Sequence, residues 1–212
     1  NPNMTLMEFK SIFFWEYLHR MMGRLIGFVY FFPFVYFTFI KRVINGNLAK
    51  KLLVGFFLGG LQGLIGWYMV KSGLVDRPDV SHLRLTAHLG AALVIYVFML
   101  WVALGLLGSG AAGNDPIGER LRPITKGLVA AIGLVALSGG LVAGLDAGFH
   151  YNTFPLMGET WVPEGLASLE PWWTNFIDNR TTVQFDHRLL AESLLLATVG
   201  IYVWARRLGV SG

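Results

Sequence analysis

The sequence predicts an all-α fold, a polytopic membrane helix bundle, and three observations predict it. Of 212 residues, 54% are hydrophobic and 14% are charged, where a soluble domain carries about 25% charged residues. The apolar residues gather into long runs, with a mean hydropathy of +0.55. Five of those runs reach the ~20 residues a helix needs to cross the hydrocarbon layer. Cysteine is absent, which excludes disulfides, iron–sulfur clusters and thiolate-ligated heme in this sequence. The net charge of +4 sits in short connections between apolar runs, as expected of cytoplasmic loops. The expected surroundings are a lipid bilayer, and no nucleic-acid partner is expected.

Taken in order, residues 1–10 read as a polar loop leading into a helix. They lack the basic start and apolar run of a signal peptide, and the sequence opens as though in mid-protein. The expected spans are 16–40, 52–70, 84–107, 124–146 and 185–205. Pro33 should kink the first, which membrane helices tolerate. Lys41, Arg42, Lys50 and Lys51 crowd the first connection. Glu119, Arg120, Arg122 and Lys126 occupy the third, and Arg206 and Arg207 follow the fifth span. The stretch 147–184 is acidic, with Glu159, Glu164, Glu170 and Asp178 against Arg180. The positive-inside rule makes the basic connections cytoplasmic and puts the N-terminus and 147–184 outside. Trp161, Trp172 and Trp173, set among prolines, suit a loop lying on the membrane interface.

Glycines recur four apart in the second span (Gly55, Gly59, Gly63) and the fourth (Gly140, Gly144, Gly148). Such a face admits a neighbouring helix or a flat cofactor; plain helix packing is the simpler use for most of these positions.

Histidines carry the chemistry. Counting ~20 residues back from the cytoplasmic ends places His19, His88 and His187 close to the outer border of three different spans. One such histidine is an interfacial residue; three at one level suit axial ligands of heme iron. Zinc would need several ligands at close spacing, whereas heme takes one histidine from each of two helices. Glu16, His19 and Gly23 share a helix face, continued by Gly27. Ala91 and Ala92 follow His88 in the same manner. Small residues below a histidine leave room for a macrocycle. Arg20, Arg24, Arg84 and Arg188 lie at the same level, where guanidinium groups could bind heme propionates or snorkel to lipid phosphates. Glu16 could act on a substrate or simply pair with Arg20 four residues on.

The block His19-Arg20-Met21-Met22-Gly23 is echoed by His187-Arg188-Leu189-Leu190-Ala191. The echo suggests two related helical halves, divided here as 1–122 and 123–212, the second including the outer loop 147–184. His187 then lacks a partner within the sequence, so a further histidine is expected on a later helix of a longer chain.

Several blocks resemble the heme A synthase family, in the branch shared by α-proteobacteria and mitochondria. They are Glu16-Tyr17-Leu18-His19-Arg20 after Phe9-Lys10-Ser11-Ile12; Gly66-Trp67-Tyr68-Met69-Val70-Lys71-Ser72-Gly73-Leu74; Arg84-Leu85-Thr86-Ala87-His88-Leu89; Ala143-Gly144-Leu145-Asp146-Ala147-Gly148; and Gln184-Phe185-Asp186-His187-Arg188. The resemblance runs through nearly the whole sequence. It implies an oxidoreductase with eight helices in two pseudo-repeated four-helix halves, of which roughly the second to sixth lie here. Such an enzyme oxidises a methyl group of heme o to the formyl group of heme a for cytochrome oxidase assembly, with heme b as cofactor. By motif, His19 and His88 would ligate the substrate heme, with Arg20 and Arg84 beside it. His187 and Arg188 would belong to the heme b site, and Glu16 would be the catalytic carboxylate. Heme o synthase and a further copy of the chain are the implied partners. The implied location is the bacterial cytoplasmic membrane, or the mitochondrial inner membrane, with the heme sites toward the periplasmic or intermembrane side. A cysteine pair found in an outer loop of some bacterial members is missing. The alternative is a bis-histidine membrane cytochrome b that only transfers electrons.

Overall fold

The computed structural model describes residues 5–44, 46–73, 80–108 and 116–209. Residues 1–4 of the expected N-terminal loop lie outside them. The described residues form α1 (Leu6–Val35) with a π-helical end (Tyr36–Ile40), α2 (Gly46–Gly73), α3 (His82–Leu106), α4 (Pro116–Gly144), a short α5 (Asn175–Asp178) and α6 (Arg180–Arg207). The five long helices are each long and apolar enough to cross a membrane. Their apolar side chains are largely exposed, among them Phe28, Val94, Leu134 and Leu196. Faces this extensive require lipid or further helices around them, and the chain is a multi-pass membrane protein.

The helices outrun the apolar windows, because capping chemistry starts helices that hydropathy cannot see. The expected loop at 1–10 is helical from Leu6. Thr5 accepts from the Glu8 backbone at 3.3 Å, and the Glu8 carboxylate accepts from the Thr5 backbone at 2.8 Å. That is a capping box. Pro116 opens α4, where its missing N–H costs nothing. Asn179 caps α6 by accepting from the backbone of Thr181 at 2.9 Å and Thr182 at 3.3 Å. Residues 180–184, expected in the outer loop, are therefore the first turn and a half of α6. Pro33 lies inside α1, and the ladder just beyond it widens to π spacing, with Lys41 N–H bonded to the Tyr36 carbonyl at 2.9 Å.

Two compact units form, with α3 divided between them: Asn1–Asp79 with Val94–Leu107, and Val80–Leu93 with Gly108–Gly212. In the first, the Tyr30 hydroxyl donates to the Leu52 carbonyl at 2.7 Å. Gly55 lies so close to Met99 and Tyr30 that a Cβ there would meet Sδ at 2.7 Å and Oη at 2.8 Å. Gly59 and Gly63, on the same stripe, have nothing within 4 Å.

In the second unit, glycines of α4 seat the first half of α3. A Cβ at Gly140 would lie 3.0 Å from Thr86 Oγ1, and one at Gly144 would lie 2.5 Å from His82 Cα. Helix packing is thus what Gly140 and Gly144 do. The second contact is with backbone, which cannot move aside as a side chain can. Gly144→Ala should cost about 1–3 kcal/mol by overpacking, read as a lowered melting temperature in detergent. Gly133→Ala on the same helix, with nothing within 4 Å, should show no loss.

Candidate functional site

The outer segment between α4 and α6 is built on polar side chains. Asp146 turns the chain out of α4 at φ 52°, a left-handed conformation that Asp tolerates. Gln184, buried on α6, receives the Tyr151 N–H at 3.1 Å and donates to the Tyr151 carbonyl at 2.8 Å. Asn175 and Asn179, also buried, are bonded to each other at 2.9 Å. They reach the Leu169 carbonyl at 2.9 Å and the Gly165 carbonyl at 2.8 Å. The Thr182 hydroxyl donates to the Leu166 carbonyl. Each bond satisfies a backbone group of an irregular loop that would otherwise be stranded. Trp161, Trp172 and Trp173 remain exposed on this segment.

Arg188 belongs to the same construction. Its guanidinium donates to the carbonyls of Thr153 at 2.7 Å, Leu156 at 3.3 Å and Tyr151 at 2.7 Å. Three of its five N–H groups are committed to the loop backbone, so its first role is to pin residues 151–156 to α6. Two N–H groups remain for any anionic partner.

His187 lies one residue away on α6 and faces α4. Its Nδ1 is 2.8 Å from Ser138 Oγ, and Ser138 Oγ is also 2.8 Å from the Val135 carbonyl oxygen. The imidazole edge passes over Gly139, where a Cβ would meet Cε1 at 3.2 Å. A ring held through Nδ1 leaves Nε2 to coordinate, which is how protein histidines present themselves to a metal. The donor left free suits a heme iron, which His187 would hold through Nε2.

Elsewhere in the second unit, His88 and Arg84 are half-buried on α3. His82 Nε2 lies 3.0 Å from Asp178 Oδ1, a close contact between the start of α3 and α5. In the first unit, Glu16, His19 and Arg20 are exposed on α1. Glu16 and Arg20 form an ion pair across one helical turn. Gly23 and Gly27 below His19 have nothing within 4 Å, so that face is open. Measured to the far end of its own helix, His19 is 21 residues from Ile40, His88 18 from Leu106 and His187 20 from Arg207. These spans correspond to ~32, ~27 and ~30 Å, close to the thickness of the hydrocarbon core. Among the described residues, no three His, Cys, Asp or Glu side chains gather as a metal cluster.

Ser138, Gly139, Gln184, Asn175, Asn179 and the His82–Asp178 pair were not singled out by sequence reasoning. Gln184 stood within a quoted motif, and Ser138-Gly139-Gly140 adjoins the glycine stripe. No local signal linked α4 to His187.

Fold and site define a class: a polytopic helical membrane protein with one histidine in the N-terminal half of each of three long helices. Residues 1–211 match the COX15-CtaA family model, described as cytochrome oxidase assembly protein. The chain is 54% identical to a heme A synthase of Nitrosomonas eutropha, over 100% of this chain and 60% of that protein. It is 45% identical to the heme A synthase COX15 of Bos taurus, over 98% and 52% respectively, and 44% identical to that of Homo sapiens, with the same coverage. The chain belongs to the COX15-CtaA family. It spans 60% or less of the length of these curated relatives. No solved structure matches it.

Proposed function

We propose that the protein is a heme A synthase, oxidising the methyl group of heme o to the formyl group of heme a. The observation that carries this reading is similarity to heme A synthases along the whole chain, at 43–54% identity. His19 and His88 are proposed as axial ligands of the substrate heme, with Arg20 and Arg84 toward its propionates. His187 is proposed as one ligand of heme b, and the free donors of Arg188 as partners of its carboxylates. Heme b, when bound, supplies a one-electron redox centre. Glu16, one turn from His19, is placed to take up a proton released at the substrate methyl group or to stabilise positive charge developing there. The division into helical halves, delivery of substrate by heme o synthase and self-association belong to the same reading. A strain lacking its own heme A synthase, given the full-length gene, should regain heme a in extracted hemes. Heme o accumulation without heme a would reject the proposal.

One observation favours the second reading, a cytochrome b that only transfers electrons: Glu16 already has an ion-pair partner in Arg20. That reading requires heme binding without heme a formation.

For orientation, we propose that the basic connections are cytoplasmic and the 147–184 segment periplasmic or in the intermembrane space. Asn47 and Ser168 are both exposed. Cysteines introduced at the two positions should react with an impermeant thiol reagent from opposite sides. Reaction of both from one side would reject the five-span topology.

A further inference from the structure

We propose that Ser138 is a positioning residue that holds His187 in the tautomer carrying its proton on Nδ1, leaving the Nε2 lone pair for iron. The iron half of this inference rests on the heme reading above; the tautomer half does not. Ser138 Oγ sits 2.8 Å from two groups, His187 Nδ1 and the Val135 carbonyl oxygen. The hydroxyl has one proton and the carbonyl has none. Two oxygens at 2.8 Å need a proton between them, since otherwise their lone pairs face each other. The hydroxyl proton therefore goes to Val135, and Oγ must accept from Nδ1–H. The opposite assignment, with Oγ–H donating to Nδ1, would leave the carbonyl and hydroxyl oxygens in repulsive contact inside an apolar span.

Two features of α4 make the chain Nδ1–H to Oγ to carbonyl possible. Serine bonds back to the carbonyl of the preceding turn, as it commonly does inside helices. Gly139 has no side chain, so the ring can come close enough to reach Ser138; a Cβ there would crowd Cε1 at 3.2 Å. Hydrogen bonding at Nδ1 fixes ring orientation and raises the basicity of the coordinating nitrogen. A more basic axial nitrogen favours the ferric state, so Ser138 should lower the midpoint potential of the heme that His187 ligates.

The test uses full-length protein with ¹⁵N-labelled histidine, and assigns His187 by loss of its signals in His187→Ala. In the heme-free protein, His187 should show a protonated Nδ1 and an unprotonated Nε2. Ser138→Ala should lose that pattern, and Ser138→Thr, which keeps the hydroxyl, should retain it. In the heme-loaded protein, Ser138→Ala should raise the midpoint potential of one heme and Ser138→Thr should leave it at the wild-type value. A wild-type His187 protonated on Nε2 would overturn the tautomer assignment. The expected tautomer together with unchanged potential in Ser138→Ala would overturn the coupling to iron. Unchanged heme content in His187→Ala would overturn the ligand reading, while the tautomer result would stand.

Discussion

Full-length Glu16→Gln should insert and bind heme as the wild type does, yet produce about 100-fold less heme a, the usual scale for losing general acid–base assistance. Glutamine keeps the size and most of the hydrogen bonding of glutamate but carries no charge. Glu16 is exposed on α1 beside the open face of His19, Gly23 and Gly27, so it can reach a substrate without ligating iron. Heme o or a partly oxidised form should accumulate. His19→Ala should differ, because losing a ligand disturbs binding itself and lowers total heme. If Glu16 only pairs with Arg20, the substitution should cost under ~1 kcal/mol and leave heme a output near normal. Separating hemes b, o and a extracted from cells carrying each variant distinguishes these outcomes.

Arg188→Met should free the outer segment from α6. Methionine keeps the apolar stem and removes the donors that hold the carbonyls of Tyr151, Thr153 and Leu156. Hydrogen bonds to charged groups contribute roughly 1.5–3 kcal/mol each, and losses at shared sites are not additive. A net loss of about 2–4 kcal/mol is expected. Residues 150–158 should then lose amide-exchange protection and become sensitive to protease added from the outer side. Arg188→Lys should recover little, because one ammonium cannot span three carbonyls as a planar guanidinium does. Arg180→Ala, at an exposed position on the same helix, should change nothing measurable. Unaltered protection in Arg188→Met would show that Gln184 holds the segment without Arg188.

The five spans and their order were legible because lipid imposes a one-dimensional rule on sequence: about 20 apolar residues per crossing. The ends of the spans were not legible. Thr5 with Glu8 and Asn179 start helices by local polar bonds, and Pro116 by its fixed φ and missing N–H, none of which an apolar count can register. The glycine stripes were visible as stripes. Which glycine touches what depends on the partner helix, so Gly55 and Gly144 are crowded while Gly59 and Gly63 are open. His187 stood out by its place near a span border. Ser138 did not, since it is 49 residues away in sequence and serine inside a helix has many uses. Arg188 illustrates the same limit: its charge at the outer border suggested a propionate or lipid-phosphate partner, while the backbone carbonyls it binds leave no trace in side-chain identity.

The most direct measurement of the proposed activity supplies purified full-length protein, loaded with heme b, with heme o and an electron acceptor, and follows the extracted hemes over time. Wild-type protein should convert heme o to heme a through a transient, more polar intermediate, and His187→Ala should stop conversion. Heme o that persists unchanged while the bound heme b is reduced and reoxidised normally would contradict the synthase reading and identify an electron-transfer cytochrome.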